Sequence, residues 1–116
     1  MLNTSEQMLK ELRAGMRGGT GTVTIKHLFQ PEDIRGKARL IAEITLPAGA
    51  SIGFHQHDQE EEIFYFISGQ GRVDDHGTLK DVKAGDALIT GGGNGHAVAN
   101  TVPEPLIFVA VILTYV

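Results

Sequence analysis

His55 and His57 stand one residue apart, the closest spacing among the five histidines of the chain. On a β-strand that spacing puts both imidazoles on one face, where they can share a metal ion. Glu62 follows across a short polar corner and is expected to open the next strand. Phe64 and Phe66 share its face, so its carboxylate would sit among apolar side chains. That placement is costly for an unpartnered charge and acceptable for one bound to a divalent cation. His96, after the run Gly91-Gly92-Gly93-Asn94-Gly95, can bring a third imidazole from a distant strand. Three neutral imidazoles and one carboxylate suit Mn, Fe, Co, Ni or Zn and leave coordination positions open.

The remaining polar candidates are weaker. Asp58, Glu60 and Glu61 read as a solvated corner, with only Glu62 expected to point inward. His27 reads as a strand residue and His76 as a turn residue. Arg39 shares a strand face with Ile41, Glu43 and Thr45. If that face lines a cavity, Arg39 is a bidentate anchor for an acidic substrate; the alternative, slightly preferred, is a surface pair with Glu43. Phe54, Phe64, Phe66 and Phe108 are candidates for a dry wall beside the metal. No general acid or base stands out, so the catalytic residues are left unassigned.

These groups need strands to position them. From residue 21 onward the chain reads as short apolar-alternating segments between turn signals: 23–29, 38–46, 52–57, 62–68, 71–73, 78–82, 86–90, 96–101 and 105–116. Many short strands at regular spacing mean an all-β sandwich or barrel. Residues 4–17 are the one expected helix. Thr4 and Gln7 have capping-box spacing, and Met8, Leu9, Leu12 and Met16 recur at helical intervals. The division expected is an N-terminal helix and loop over 1–20 and a single barrel domain over 21–116. The last strand is apolar on both faces, which calls for a covering sheet and points to a homodimer.

Composition narrows the function classes. The 116 residues fit one domain, and there are no cysteines, which removes disulfides, thiolate metal sites and cysteine nucleophiles. Ten Lys+Arg against fourteen Asp+Glu give a net charge of −4, without the basic excess of a nucleic-acid binder. No apolar run approaches the ~20 residues of a membrane span, and the N-terminus lacks a signal-peptide core. A cytoplasmic protein with a small-molecule ligand is expected.

Two motifs give the chain a family resemblance. Gly49, His55, His57, Glu62 and Gly69 follow the spacing of the first cupin motif. Gly85, Gly93, His96 and Asn100 follow the second, with Gly91 where the family has proline. The chain therefore resembles a cupin, and its run GASIGFHQH…EEEIFYFISGQG is similar to small single-domain cupins of the oxalate decarboxylase-like kind. The resemblance implies a conical β-barrel, or jelly roll, with a metal between its sheets on His55, His57, Glu62 and His96. It implies a metal-dependent enzyme, decarboxylase- or dioxygenase-like, acting on a small carboxylate or other oxygen-rich molecule, with one Mn or Fe per chain favoured and Zn, Ni or Co as alternatives. A non-enzymatic binding or sensing cupin is the second reading. A metal-independent sugar isomerase is the third, and the intact ligand set argues against it.

Overall fold

Alternating apolar residues with frequent β-branching and tight glycine turns build ten strands in the computed structural model, which describes residues 1–116. The strands are β1 (Leu9–Ala14), β2 (Thr22–Phe29), β3 (Ala38–Leu46), β4 (Ser51–Gln56), β5 (Glu60–Ser68), β6 (Gln70–Asp75), β7 (Thr78–Lys83), β8 (Ala87–Gly91), β9 (Gly95–Asn100) and β10 (Leu106–Thr114). They form a six-stranded sheet in the order β1-β2-β3-β10-β5-β8 and a four-stranded sheet in the order β4-β9-β6-β7. All the pairings are antiparallel. The molecule is the expected all-β jelly roll, with two open sheets around one core. No helix is long and apolar enough to cross a membrane.

Strand parity decides what the core contains. Along β3, Ala42, Ile44 and Leu46 are buried, and along β10 Leu106, Phe108, Ala110 and Ile112 are buried. Phe64, Phe66 and Phe108 meet as a ring cluster with centroids 4.5 to 6.1 Å apart. Each such side chain stabilises the fold by about 1.5–3 kcal/mol through burial, and ring pairing adds about 0.5–1.5 kcal/mol. The opposite face of the large sheet is also apolar. Ile41, Val111, Ile63 and Ile89 form one row across it, and Val109 lies beside Tyr65 in the next. Tyr65 and Ile89 are 50% and 60% exposed, so this face is uncovered in the single chain.

The expected helix over residues 4–17 is not there. The capping box of Thr4 and Gln7 forms, but it encloses a single 3₁₀ turn, Ser5–Gln7, and Met8 is already extended. Leu9–Ala14 then pairs with β2, with Leu9 opposite His27 and Ala14 opposite Thr22. Two physical terms favour the strand. An isolated helix of about 12–15 residues is marginal in water, whereas pairing here satisfies the free backbone groups along β2. The helical stripe also had nothing to pack on, since Leu9 and Leu12 remain 57% and 71% exposed. Period two instead aligns Glu11 and Arg13 on one face.

Two irregularities aim the site residues. Between Ile52 and His55, β4 spends three residues against two on β9. This bulge lets both Ile52 and His55 face inward, which regular alternation forbids. In β3, Ala38 pairs with Leu113 and Leu40 with Ile112, so Arg39 is the unpaired residue between them. Asn100 fastens the neighbouring corner, donating to Leu46 O at 2.9 Å and Glu104 O at 2.8 Å, and accepting from Val102 N–H at 3.0 Å.

Candidate metal centre

The two sheets bring four side chains to one point. His55 and His96 face each other across the β4–β9 ladder. His57 lies just beyond β4, held by its N–H on Asn94 O at 3.0 Å. Glu62 comes from β5 in the opposite sheet, between Thr90 of β8 and Ile112 of β10. His57, Glu62 and His96 are buried, and His55 is half-buried toward the cavity. Nε2 of His96 lies 3.1 Å from Nε2 of His57 and 3.2 Å from Nε2 of His55. Oε1 of Glu62 is 3.0 Å from Nε2 of both His57 and His96. The four groups present ligand atoms that all lie within 4.8 Å of one another.

The outer nitrogens show what this convergence is suited to. Nδ1–H of His55 donates to Gly53 O at 2.8 Å and that of His57 to Glu60 Oε2 at 2.5 Å, while Nδ1 of His96 shares a hydrogen bond with Thr90 Oγ1 at 2.9 Å. With the proton on Nδ1 in each neutral ring, every Nε2 presents a lone pair to the centre. Three lone pairs and a carboxylate oxygen then face one another with no hydrogen between them, an arrangement that a cation relieves. The separations fit as well. Ligand atoms at about 2.1 Å from a metal and at right angles lie about 3.0 Å apart, against about 3.4 Å in a tetrahedral shell. The donor set therefore fits one metal ion, with four of its ligand-atom separations at 3.0–3.2 Å and all of them within 4.8 Å.

Electrostatics separate the three imidazoles. Burial pushes the pKa of His55 down, with the neighbouring His96 and His57 adding to it against the Gly53 carbonyl. Burial also pulls on His57, but hydrogen bonds and charge from Glu62 and Glu60 outweigh it, and its pKa is raised. Burial works to raise the Glu62 carboxyl, and His57 and His96 overcome it and lower the pKa. Glu60 is held down to about 2, first by the Arg39 guanidinium and then, against burial, by His57.

Glu60 corrects the sequence reading of the acidic corner. β5 begins at Glu60, two residues before Glu62, so the same parity turns both carboxylates inward. Asp58 stays exposed, while Glu61 lies partly buried and accepts from Tyr115 Oη at 3.2 Å. Arg39 does not pair with Glu43. Its bulge lets it reach Glu60 with two hydrogen bonds, from Nε at 2.8 Å and from Nη2 at 2.9 Å.

Above the centre is a cavity of about 110 Å³. Against ~30 Å³ per water molecule it accommodates a ligand of several heavy atoms, well below the ~300–1,000 Å³ of drug-sized pockets. Phe64 lines it and stacks on His96, with ring centroids 4.7 Å apart. Phe66 and Phe108 lie deeper in the core, outside the lining, and Phe54 is turned outward by the β4 bulge, 49% exposed. Arg39 borders the cavity. The sequence reading missed the upper wall, made of Glu11, Arg13, Met16 and Arg17 from the segment taken for a helix. His27 stands among them, with Nε2 2.6 Å from Glu11 Oε1. Residues 9–14, LKELRA, carry no apolar–polar alternation that would have marked them as a strand.

Comparisons with known proteins agree with this architecture. Residues 42–112 match the Cupin domain family. The chain is 41% identical over 113 residues to the oxalate-binding protein of Thermotoga maritima, covering 97% of this chain and 93% of the relative. It superposes with a TM-score of 0.93 and 40% identity on the crystal structure of a predicted oxalate decarboxylase from Thermotoga maritima, over 98% of this chain and 99% of the other. The polyketide cyclase RemF of Streptomyces resistomycificus, at 17% identity and a TM-score of 0.80 over 100% of this chain and 80% of its own, shares the fold alone.

Proposed function

The chain belongs to the cupin family, and from that premise we propose that it holds one divalent metal on His55, His57, Glu62 and His96 and binds a small carboxylate of the oxalate class beside it. The observation that carries this reading is the convergence of three Nε2 atoms and Glu62 Oε1 beneath a cavity of about 110 Å³. Manganese or iron is the proposed metal, with zinc, nickel and cobalt as the alternatives that the same nitrogen and oxygen donors accommodate. A metal bound there supplies Lewis acidity toward a carboxylate oxygen.

The rest of the work falls to the protein. Glu60, Thr90 and the Gly53 carbonyl fix the three rings, which keeps their Nε2 atoms aimed at the centre. Phe64, Ile44, Ile52 and Ile112 exclude water from one side of the cavity and so strengthen each polar contact inside it. The similarity to the oxalate-binding protein supports the ligand class.

Turnover is the second reading, and the His27–Glu11 pair favours it. A decarboxylase needs a group that delivers a proton to the product, and this pair is the titratable couple in the upper wall. A second copy of the chain is the proposed cover for the uncovered apolar face of the large sheet.

Calorimetric titration of oxalate into manganese-loaded and chelator-stripped protein tests the main reading. Binding to the loaded form alone is expected, and equal binding to both, or to neither, overturns it. Formate released from oxalate under air distinguishes an enzyme from a binding protein.

A further inference from the structure

Three arginines reach the cavity, and two of them are already engaged. Arg13 pairs with Glu11 at 3.1 Å, and Arg39 pairs with Glu60 at 2.8 Å. Arg17 also lines the cavity and has neither an ion pair nor a side-chain hydrogen bond within the chain. Its backbone is unusual as well. Arg17 sits in the left-handed region at φ 54° and ψ 31°, between Gly15 and Gly18, where a glycine would rest without penalty. The turn is locked in place. A Cβ on Gly53 would lie 2.0 Å from Arg17 O, and one on Gly19 would lie 2.2 Å from Ser51 O, so the N-terminal turn rests directly on the bulged strand that carries His55. Gly18 N–H and Gly19 N–H close it on Gly15 O and Met16 O, both at 2.9 Å. The surrounding contacts therefore hold Arg17 in a fixed position beside the cavity.

We propose that Arg17 takes the outward carboxylate of a small dicarboxylate whose other end lies at the metal centre, and that it thereby selects dicarboxylates over monocarboxylates. The inference rests on the carboxylate-binding reading above and deepens it. A dicarboxylate that fills a cavity of about 110 Å³ carries its second charged end to the cavity rim, where the exposed Arg17 stands as an unpaired cation. Arg13 and Arg39 have their carboxylates already; Arg17 has its guanidinium free, and its planar fork suits a carboxylate. A monocarboxylate has no second end to gain from it.

The test uses manganese-loaded wild type, Arg17→Gln and Arg17→Gly, titrated calorimetrically with oxalate and with acetate. Arg17→Gln is expected to weaken oxalate by at least tenfold and to change acetate by less than twofold, with manganese content preserved. Arg17→Gly is expected to show the same loss of oxalate without any fall in melting temperature, because the glycine relieves the left-handed backbone. That separates a ligand-binding role from a structural one. Oxalate binding at wild-type strength in either variant overturns the assignment, as does equal loss of oxalate and acetate. A wild type that binds acetate and oxalate alike overturns the selectivity while leaving the metal site standing. A wild type that binds neither brings down the carboxylate reading itself, and the role of Arg17 with it.

Discussion

Glu60 Oε2 accepts the Nδ1 proton of His57 at 2.5 Å, while both carboxylate oxygens of Glu60 accept from Arg39. An imidazole of the proposed metal centre is thereby tied through one carboxylate to a guanidinium at the cavity rim. Carboxylate–imidazole pairs of this kind fix the ring and raise its basicity, and losing one weakens metal affinity by about 10–100-fold. Glu60→Gln is expected to lower manganese affinity within that range, read by competition with a chelator of known affinity. Arg39→Gln should have a smaller effect, since the His57 bond survives it. Equal metal affinity in wild type and Glu60→Gln would remove Glu60 from the metal site.

Acid should release the metal early. His57 must give up any proton on Nε2 to coordinate, and its raised pKa means that protons compete for it from above its ordinary value of 6.5. Manganese affinity should already be falling between pH 7 and pH 6. A flat affinity across that interval counts against the assigned ligands.

Glu60 contributes a separate dependence at lower pH. Its folded pKa of about 2 lies below the ordinary 4.5, so its stabilisation is complete above pH 4.5 and fades as pH falls toward 2. The partner Arg39 is half exposed, and solvent screening keeps this contribution modest. Urea titrations of metal-free wild type and Glu60→Gln should converge in midpoint as pH drops from 5 to 3.

Metal loading should stabilise the fold by mass action. Free manganese at a hundred times its Kd adds about 2.7 kcal/mol, which is about ten degrees in Tm for a chain of this size. Elemental analysis should find near one metal per chain in the wild type and none in the double variant His55→Ala/His96→Ala, which should show no such rise. A rise that persists in the variant places the metal elsewhere.

The outer face of the large sheet gives a prediction about assembly. Val109 sits at its centre, paired with Glu43 on one side and Tyr65 on the other. Val109→Glu sets a second carboxylate beside Glu43 on a face proposed to meet its own copy. Light scattering should find a dimer in the wild type and a monomer in the variant. Equal masses for the two proteins would place any assembly surface elsewhere.

Parity made much of this molecule legible in its sequence. Strands at 38–46 and 78–82 were readable from alternation and turn residues, and the His-x-His spacing put two imidazoles on one face. What parity could not show was where it breaks. The additional residue in β4 turns Phe54 outward and Ile52 inward together with His55, and the one in β3 frees Arg39 from its expected neighbour. Neither bulge has a local signature beyond a glycine. Glu60 was within reach, being two residues from Glu62, but the strand was expected to begin too late. The first strand was the hardest case. Leu9 and Leu12 fit a helical stripe, and only the demand of β2 for a pairing partner decides against it.

That strand has a consequence for how the protein can change. The four proposed ligands lie between residues 55 and 96, and much of the outer wall comes from residues 11 to 17, far earlier in the sequence. The family match begins at residue 42, so that part of the wall lies outside it. The proposed metal ligands and this part of the wall therefore occupy separate stretches of sequence. Exchanging residues 11 to 17 for those of a relative should alter the proposed ligand preference while keeping all four proposed metal ligands. Mutation could retune this protein by the same route without disturbing its core.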